Sequence, residues 1–306
     1  MAARETLPKQ SAHSSGEFTW PNIRSSASDQ LTARLKLHDA TTGHSPLVIW
    51  SPEAEELHHP LLRTFAGIVA ANSTKGVLQA EALDLDDFNS IKAWLSYLDV
   101  VDDGHDYRYR YWGSELVRNF GTDITGNLVS DLPSRTASLF LALYRSIQEK
   151  REAVLSIHEP PPEVFVRQWW RMMVPVVSKS GEVQNLLVAA YPQNELRNAF
   201  EAMPVPVVVA DANANVRFAN ALSRQYFHNV VVPYRDTTIE AFCGTSIDLP
   251  RTPIAMVERG DTITTRSKVV RSDGVAHDCE VTLSGILQGN RAYYLLVLPH
   301  DMGAEA

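Results

Sequence analysis

The strongest constraint in this sequence is that it repeats itself. Placing Asp102 opposite Asp211 brings Val101 against Ala210, Tyr107 against Val216 and Tyr109 against Phe218. Tyr191-Pro192 meets Leu298-Pro299 at nearly the same offset. Identity is low, but the order of elements agrees: hairpin, short helices, longer helix, three-stranded meander. A self-similar period fixes an architecture more firmly than any local propensity. Two copies of about 100 residues fit comfortably in a chain of 306.

In the first copy, Pro52 followed by Glu53, Glu55 and Glu56 marks a helix start. Leu57, Leu61, Leu62, Phe65, Ile68 and Val69 then recur at helical spacing, predicting an amphipathic helix to Asn72 that starts or kinks at Pro60. Phe88, Ile91, Trp94 and Leu95 predict a second helix over Asp87–Leu98. Leu98–Val101, the turn Asp102-Asp103-Gly104 and Asp106–Trp112 read as a β-hairpin. Strict alternation puts Tyr107, Tyr109 and Tyr111 on one face of its second strand, with Arg108, Arg110 and Trp112 on the other. Helices are expected at Ser114–Phe120, Leu128–Leu132 and Arg135–Lys150, and strands at Ala153–His158, Val164–Val177 and Val183–Tyr191.

The second copy opens with a connecting helix from Glu195, stopped by Pro204 and Pro206. The hairpin Val207–Asp211 and Val216–Asn220 follows, then helices at Ala221–Phe227, Thr238–Phe242 and Thr252–Glu258. Three strands close it: Thr262–Arg271, His277–Leu287 and Ala292–Leu298. Residues 1–45 hold no lasting period and are rich in Ser, Thr, Ala and His, so they read as a disordered arm with a transient helix over Asp29–Leu37. The expected division is an arm over 1–45, a first domain with its flanking helix over 46–194, and a second domain over 195–302.

This order resembles that of PAS domains. The segment from Ala202 to Asp211 and the stretch Ala214 to Asn220 are similar to the PAS opening, with Asn213 standing where glycine is usual. Val269 to Gly274 resembles the turn between the last strands. The first copy is similar to a stand-alone PAS type common in alphaproteobacteria, through Leu98–Gly104, Asp106–Gly113 and Phe120–Gly126. The resemblance implies an α+β fold of two PAS-like domains, each a five-stranded antiparallel sheet with helices over one face, preceded by the amphipathic helix and the arm. It implies a sensory, signal-transducing role and names no ligand.

A PAS domain buries a ligand, or only an apolar core, between sheet and helices. The candidate lining in the first copy is Tyr107, Tyr109, Tyr111 or Trp112, with Phe140, Tyr144, Trp169 and Met173. Arg108 and Arg110 alternate with the tyrosines. Inside a pocket Arg110 could clamp a carboxylate; at the surface this pair would meet Asp106 or Asp123. The cofactor is unknown. A haem needs an axial ligand, usually His, and neither of the matching helices Arg135–Lys150 and Thr252–Glu258 carries one. Adjacent His58 and His59 point about 100° apart on a helix and make a poor metal pair. Cys243 and Cys279, the two cysteines, match neither a photoactive flavin site nor a zinc site.

No nucleophile elbow, phosphate loop or zinc-protease motif occurs, so the chain is not expected to be an enzyme. The net charge of -8 argues against nucleic acid as a partner, and no apolar run reaches the roughly 20 residues of a membrane helix. The expectation is a cytoplasmic tandem-PAS regulator without an output domain, acting on a histidine kinase or second-messenger enzyme. It could self-associate through Pro52–Asn72 and Glu195–Met203. The alternative is a small-molecule or haem-binding sensor whose ligand sits in the first PAS pocket.

Overall fold

A computed structural model describes residues 27–42, 46–73, 77–229, 231–232, 235–244 and 247–299. The first part holds strands β1 (Leu47–Trp50), β2 (Leu78–Gln79), β3 (Leu95–Val101), β4 (Asp106–Trp112), β5 (Val154–His158), β6 (Gln168–Val177) and β7 (Val183–Gln193). Its helices are α1 (Ala27–Thr42), α2 (Pro60–Asn72), α3 (Ser114–Phe120) and α4 (Ser134–Lys150). The second part holds β8 (Val207–Ala210), β9 (Val216–Ala219), β10 (Thr262–Val270), β11 (Ala276–Gln288) and β12 (Arg291–Val297). Its helices are α5 (Glu195–Glu201), α6 (Ala221–Phe227), α7 (Ile239–Cys243) and α8 (Pro253–Arg259).

These strands form two sheets. The second is five-stranded and antiparallel, ordered β10-β11-β12-β8-β9. The first contains the same arrangement, β5-β6-β7-β3-β4, but is larger. It has seven strands, because β1 adds antiparallel to β5 and the two-residue β2 pairs parallel with β6. The expected five strands therefore understate the first sheet. Leu47–Trp50 is too short, and too far from its partner in sequence, to announce itself as a strand.

The first sheet is also covered on both faces, where one covered face was expected. Met173, Leu186, Val188 and Ala190 point toward α3 and α4; Met172, Val174, Leu187 and Ala189 point toward α2 and the turns before β3. That is why β6 and β7 read as continuous apolar runs: a strand buried on both sides has no polar face to alternate with. α2 begins at Pro60, capped by His59, whose Nδ1 accepts from the Leu61 amide at 3.2 Å. Its apolar residues Leu62 and Phe65 are fully buried against its own sheet, so this helix does not offer them as a dimer face.

Two further expectations are corrected. Asp87–Leu98 is not a helix but two 3-10 turns, Leu85–Phe88 and Lys92–Trp94, running into β3 at Leu95. Its apolar spacing of three and four serves those turns equally well. The arm is also not wholly disordered. Residues 1–26 and 43–45 lie outside the described residues, but α1 is a helix whose Leu31 and Leu35, one turn apart, pack into the core beside α4.

The two parts are joined by more than the chain. Phe165, from the segment between β5 and β6, is buried among Phe200, Phe218 and Tyr293 of the second part, with ring centroids 6.4, 5.6 and 5.2 Å away. Arg291 donates to the Pro160 carbonyl at 3.0 Å, and Arg197 donates to the Arg118 carbonyl at 2.7 Å. Within the second part, Asn220 is fully buried. Its Oδ1 accepts from the Val207 and Ser223 amides, and its Nδ2 donates to the Val205 carbonyl, tying β8 to the start of α6.

Candidate functional site

The site is built on β4. Its strict alternation is broken at Arg110, because Leu98 pairs with Tyr109 while Tyr97 pairs with Tyr111, leaving Arg110 as the extra residue of a bulge. A bulge shifts the phase of every side chain beyond it. Tyr107, Tyr109 and Trp112 consequently share the α4 side, whereas Tyr111 belongs to the opposite layer and donates to the Lys92 carbonyl at 3.1 Å. The expected grouping of Tyr111 with Tyr107 and Tyr109 is thus wrong beyond Arg110. Arg110 itself lies outside the pocket, paired with Asp99 at 2.8 Å and set over the Tyr97 ring. Arg108 is exposed.

The helix opposite is α4, whose Phe140 and Tyr144 stack with centroids 5.8 Å apart. Tyr107 meets Tyr144 edge-on at 5.2 Å and donates to Gln148 Oε1 at 2.9 Å. Burial pushes the Tyr107 phenol well above its ordinary pKa. Met173 is fully buried in the same core. Tyr107, Tyr144 and Met173 are thus core beneath the site and not among the residues lining its cavity.

The cavity lies toward the other end of α4 and encloses about 40 Å³. Tyr109, Trp112, Phe140 and Trp169 line it, joined by Phe120, Ile124, Leu132 and Thr136. The remaining walls are His158, Pro161, Arg171 and Ala190. Trp112 meets Tyr109 and Phe120 edge-on at 5.2 and 5.7 Å. A haem macrocycle does not fit a space of this volume. His158, the one histidine of the lining, packs edge-on against Phe140 at 5.1 Å.

Sequence reasoning missed Arg171. It is 5 % exposed, on β6, with its guanidinium carbon 4.3 Å from the centroid of Phe140 and 5.5 Å from that of Tyr144. Its Nη2 donates to the Tyr144 hydroxyl, while its Nη1 is buried without a hydrogen-bond partner. Trp112 Nε1 is a second buried donor with no partner. The signal was present in the sequence: Arg171 is the one charged residue of β6, surrounded by Trp, Met and Val.

A larger crevice of about 250 Å³ lies at the junction of the two parts, between Arg118, Glu163, Phe165, Arg197, Arg217 and Arg224. Several of its cations are matched. Arg224 pairs with Glu201 at 2.7 Å and Arg217 with Asp211 at 2.6 Å. Arg197 donates to the Arg118 carbonyl at 2.7 Å and lies over the Phe218 ring.

No protein-family model matches the chain, and no curated protein does. Among solved structures it is similar to the PAS domain of nitrogen regulation protein NR(II) from Vibrio parahaemolyticus, at 20% identity over 34% of this chain and 94% of that one, with a TM-score of 0.29. It is similar to the PAS domain of an HTR-like protein from Haloarcula marismortui, at 17% identity over 34% and 93%, TM-score 0.27. It is also similar to the sensory domain of the Campylobacter jejuni chemoreceptor Tlp3 (CcmL), at 12% identity over 89% and 92%, TM-score 0.32. Among the described residues no helix is long and apolar enough to cross a membrane, and no cluster of His, Cys, Asp or Glu is placed to hold a metal ion.

Proposed function

We propose that this chain is a signal-transduction regulator built from two PAS-type modules in tandem, the first of the stand-alone alphaproteobacterial kind. It works by contact with a separate signalling protein, a histidine kinase or a second-messenger enzyme, and carries out no catalytic step of its own. One observation carries the reading: the run β4-β3-β7-β6-β5 in the first sheet and the run β9-β8-β12-β11-β10 in the second follow one order, with helices inserted between the hairpin and the meander in each. The sequence motifs around Asp102 and Asp211 fall on the same hairpin turn in both sheets, which supports a duplicated module.

The test is reconstitution. The full chain is screened for pairwise binding against the kinases and second-messenger enzymes of its own genome. Each binder's autophosphorylation or nucleotide synthesis is then measured with and without the chain. A several-fold change in one partner's rate is expected. A chain that leaves every such enzyme unchanged, or that turns over a substrate alone, overturns the reading.

A second reading, a small-molecule sensor, is favoured by the two unpartnered donors of the first cavity. It differs from the first only in giving the regulator an input.

A further inference from the structure

The cavity between β4, β6 and α4 combines features that a plain core lacks. A guanidinium carries a permanent charge, and buried charges in proteins are ordinarily paired. Among the described residues Arg171 has no carboxylate beside it. Its contacts are the Phe140 and Tyr144 rings and the Tyr144 hydroxyl, which offset part of the burial cost and leave Nη1 bare. Trp112, on a different strand, lines the same cavity and leaves Nε1 bare as well. Both groups are donors only. What completes them is an acceptor with negative charge.

From this geometry we infer that the cavity is a binding site for a short-chain carboxylate. Its oxygens are held by Arg171 Nη1 and Trp112 Nε1, and its alkyl end lies against Phe120, Ile124 and Leu132. A cavity of about 40 Å³ holds about three water-sized groups. That room suits an acetate- or propionate-sized guest and excludes a flavin or a haem. Water alone would satisfy the two N–H groups and leave the charge unmatched. The inference deepens the sensory reading and rests on it only for its consequence, since binding is measurable without any partner.

The experiment uses the full chain, purified without carboxylate buffers, in titrations followed by calorimetry and by thermal unfolding. The probes are acetate, propionate and butyrate, with chloride, acetamide and 1-propanol as controls. One of the carboxylates is expected to bind with unit stoichiometry and to raise the unfolding temperature, while the neutral isosteres do not. Arg171→Met is expected to weaken that binding at least tenfold, and Trp112→Phe severalfold. Should Arg171→Met fail to fold, Thr136→Met keeps the guanidinium, fills the cavity from α4, and is expected to abolish binding in a folded protein. Carboxylates that stabilise no better than chloride, or that act equally on wild type and the variants, overturn the inference. Failure of reconstitution with partner enzymes would instead sink the regulatory reading and leave the binding result standing.

Discussion

On the first sheet, alternate residues of β6 and β7 face two separate apolar layers; on the second, β10 turns Thr264, Arg266 and Lys268 to water. The order of strands is shared, so the difference comes from what was added. β1, β2, α2 and the turns before β3 cover the first sheet's second face, whereas among the described residues the second sheet's equivalent face is covered where α5 and Phe165 reach. The interiors differ too. The first holds a charged side chain among aromatics, and the second an apolar core with two buried thiols, Cys243 and Cys279. The same strand order thus surrounds a buried guanidinium in the first part and an apolar core in the second.

The comparison can be broken first at the added layer. Phe65→Ala should cost about 3–5 kcal/mol, because a fully buried ring leaves a void its neighbours fill poorly. Urea unfolding reads this directly, and a cost below about 1 kcal/mol would mean that the layer is not core. Next comes the junction. Phe165→Ala should cost about 3 kcal/mol and split a single unfolding transition into two, seen by calorimetry, since it removes the ring that closes the second part's outer face. Deleting Arg110, the extra residue of the bulge, should cost no more than about 1 kcal/mol, because a regular ladder keeps the pairs Leu98–Tyr109 and Tyr97–Tyr111 and leaves Trp112 on the cavity side, so tryptophan burial in fluorescence should be unchanged.

Alkaline pH separates the two parts by a smaller amount. Burial pushes the Cys243 thiol from its ordinary 9 up to about 12. Burial likewise pushes the Tyr97 phenol of the first sheet from 10 up to about 12. In both cases the folded state holds its proton longer than the unfolded chain. The associated stability is therefore complete below the unfolded pKa and is lost as pH rises toward the folded one. The second part should weaken from about pH 9 and the first from about pH 10. Hydrogen exchange across that window checks the order, and Cys243→Ala should shrink the earlier onset, leaving the part due to Cys279, whose thiol is also pushed up by burial. Smallest of all, Arg266→Ala should change stability by no more than about 0.5 kcal/mol, as its pairing with Glu280 at 3.8 Å is exposed on both sides.

The second part was the easier half to read from sequence. Its strands alternate, its turns carry Asp-Gly and Gly-Asn, and the helix Ala221–Phe227 follows directly from Asn220. In the first part the core side chains at Tyr107, Tyr109, Phe140, Tyr144 and Trp169 were legible because aromatic residues at strand and helix periods have few places to go. Four things were not. The bulge at Arg110 is a property of pairing with β3, invisible to periodicity within β4. The layer formed by Leu85–Phe88 and Lys92–Trp94 imitates a helix in its spacing. Arg171 lay hidden inside a continuous apolar run, where period 2 gives no warning of which face a lone charge will choose. Among the described side chains of α1, Leu31 and Leu35 pack into the core, too small a stripe to register as a pattern.

Phe165 bears on how freely such modules can be exchanged. The ring belongs by sequence to one module and by packing to the other, so a cut at the obvious linker near Asn194 strips an aromatic plug from one piece and bares it on the other. Grafting the second part onto a foreign protein would therefore require transplanting a donor loop along with it. The boundary drawn by covalent order is not the boundary drawn by contact.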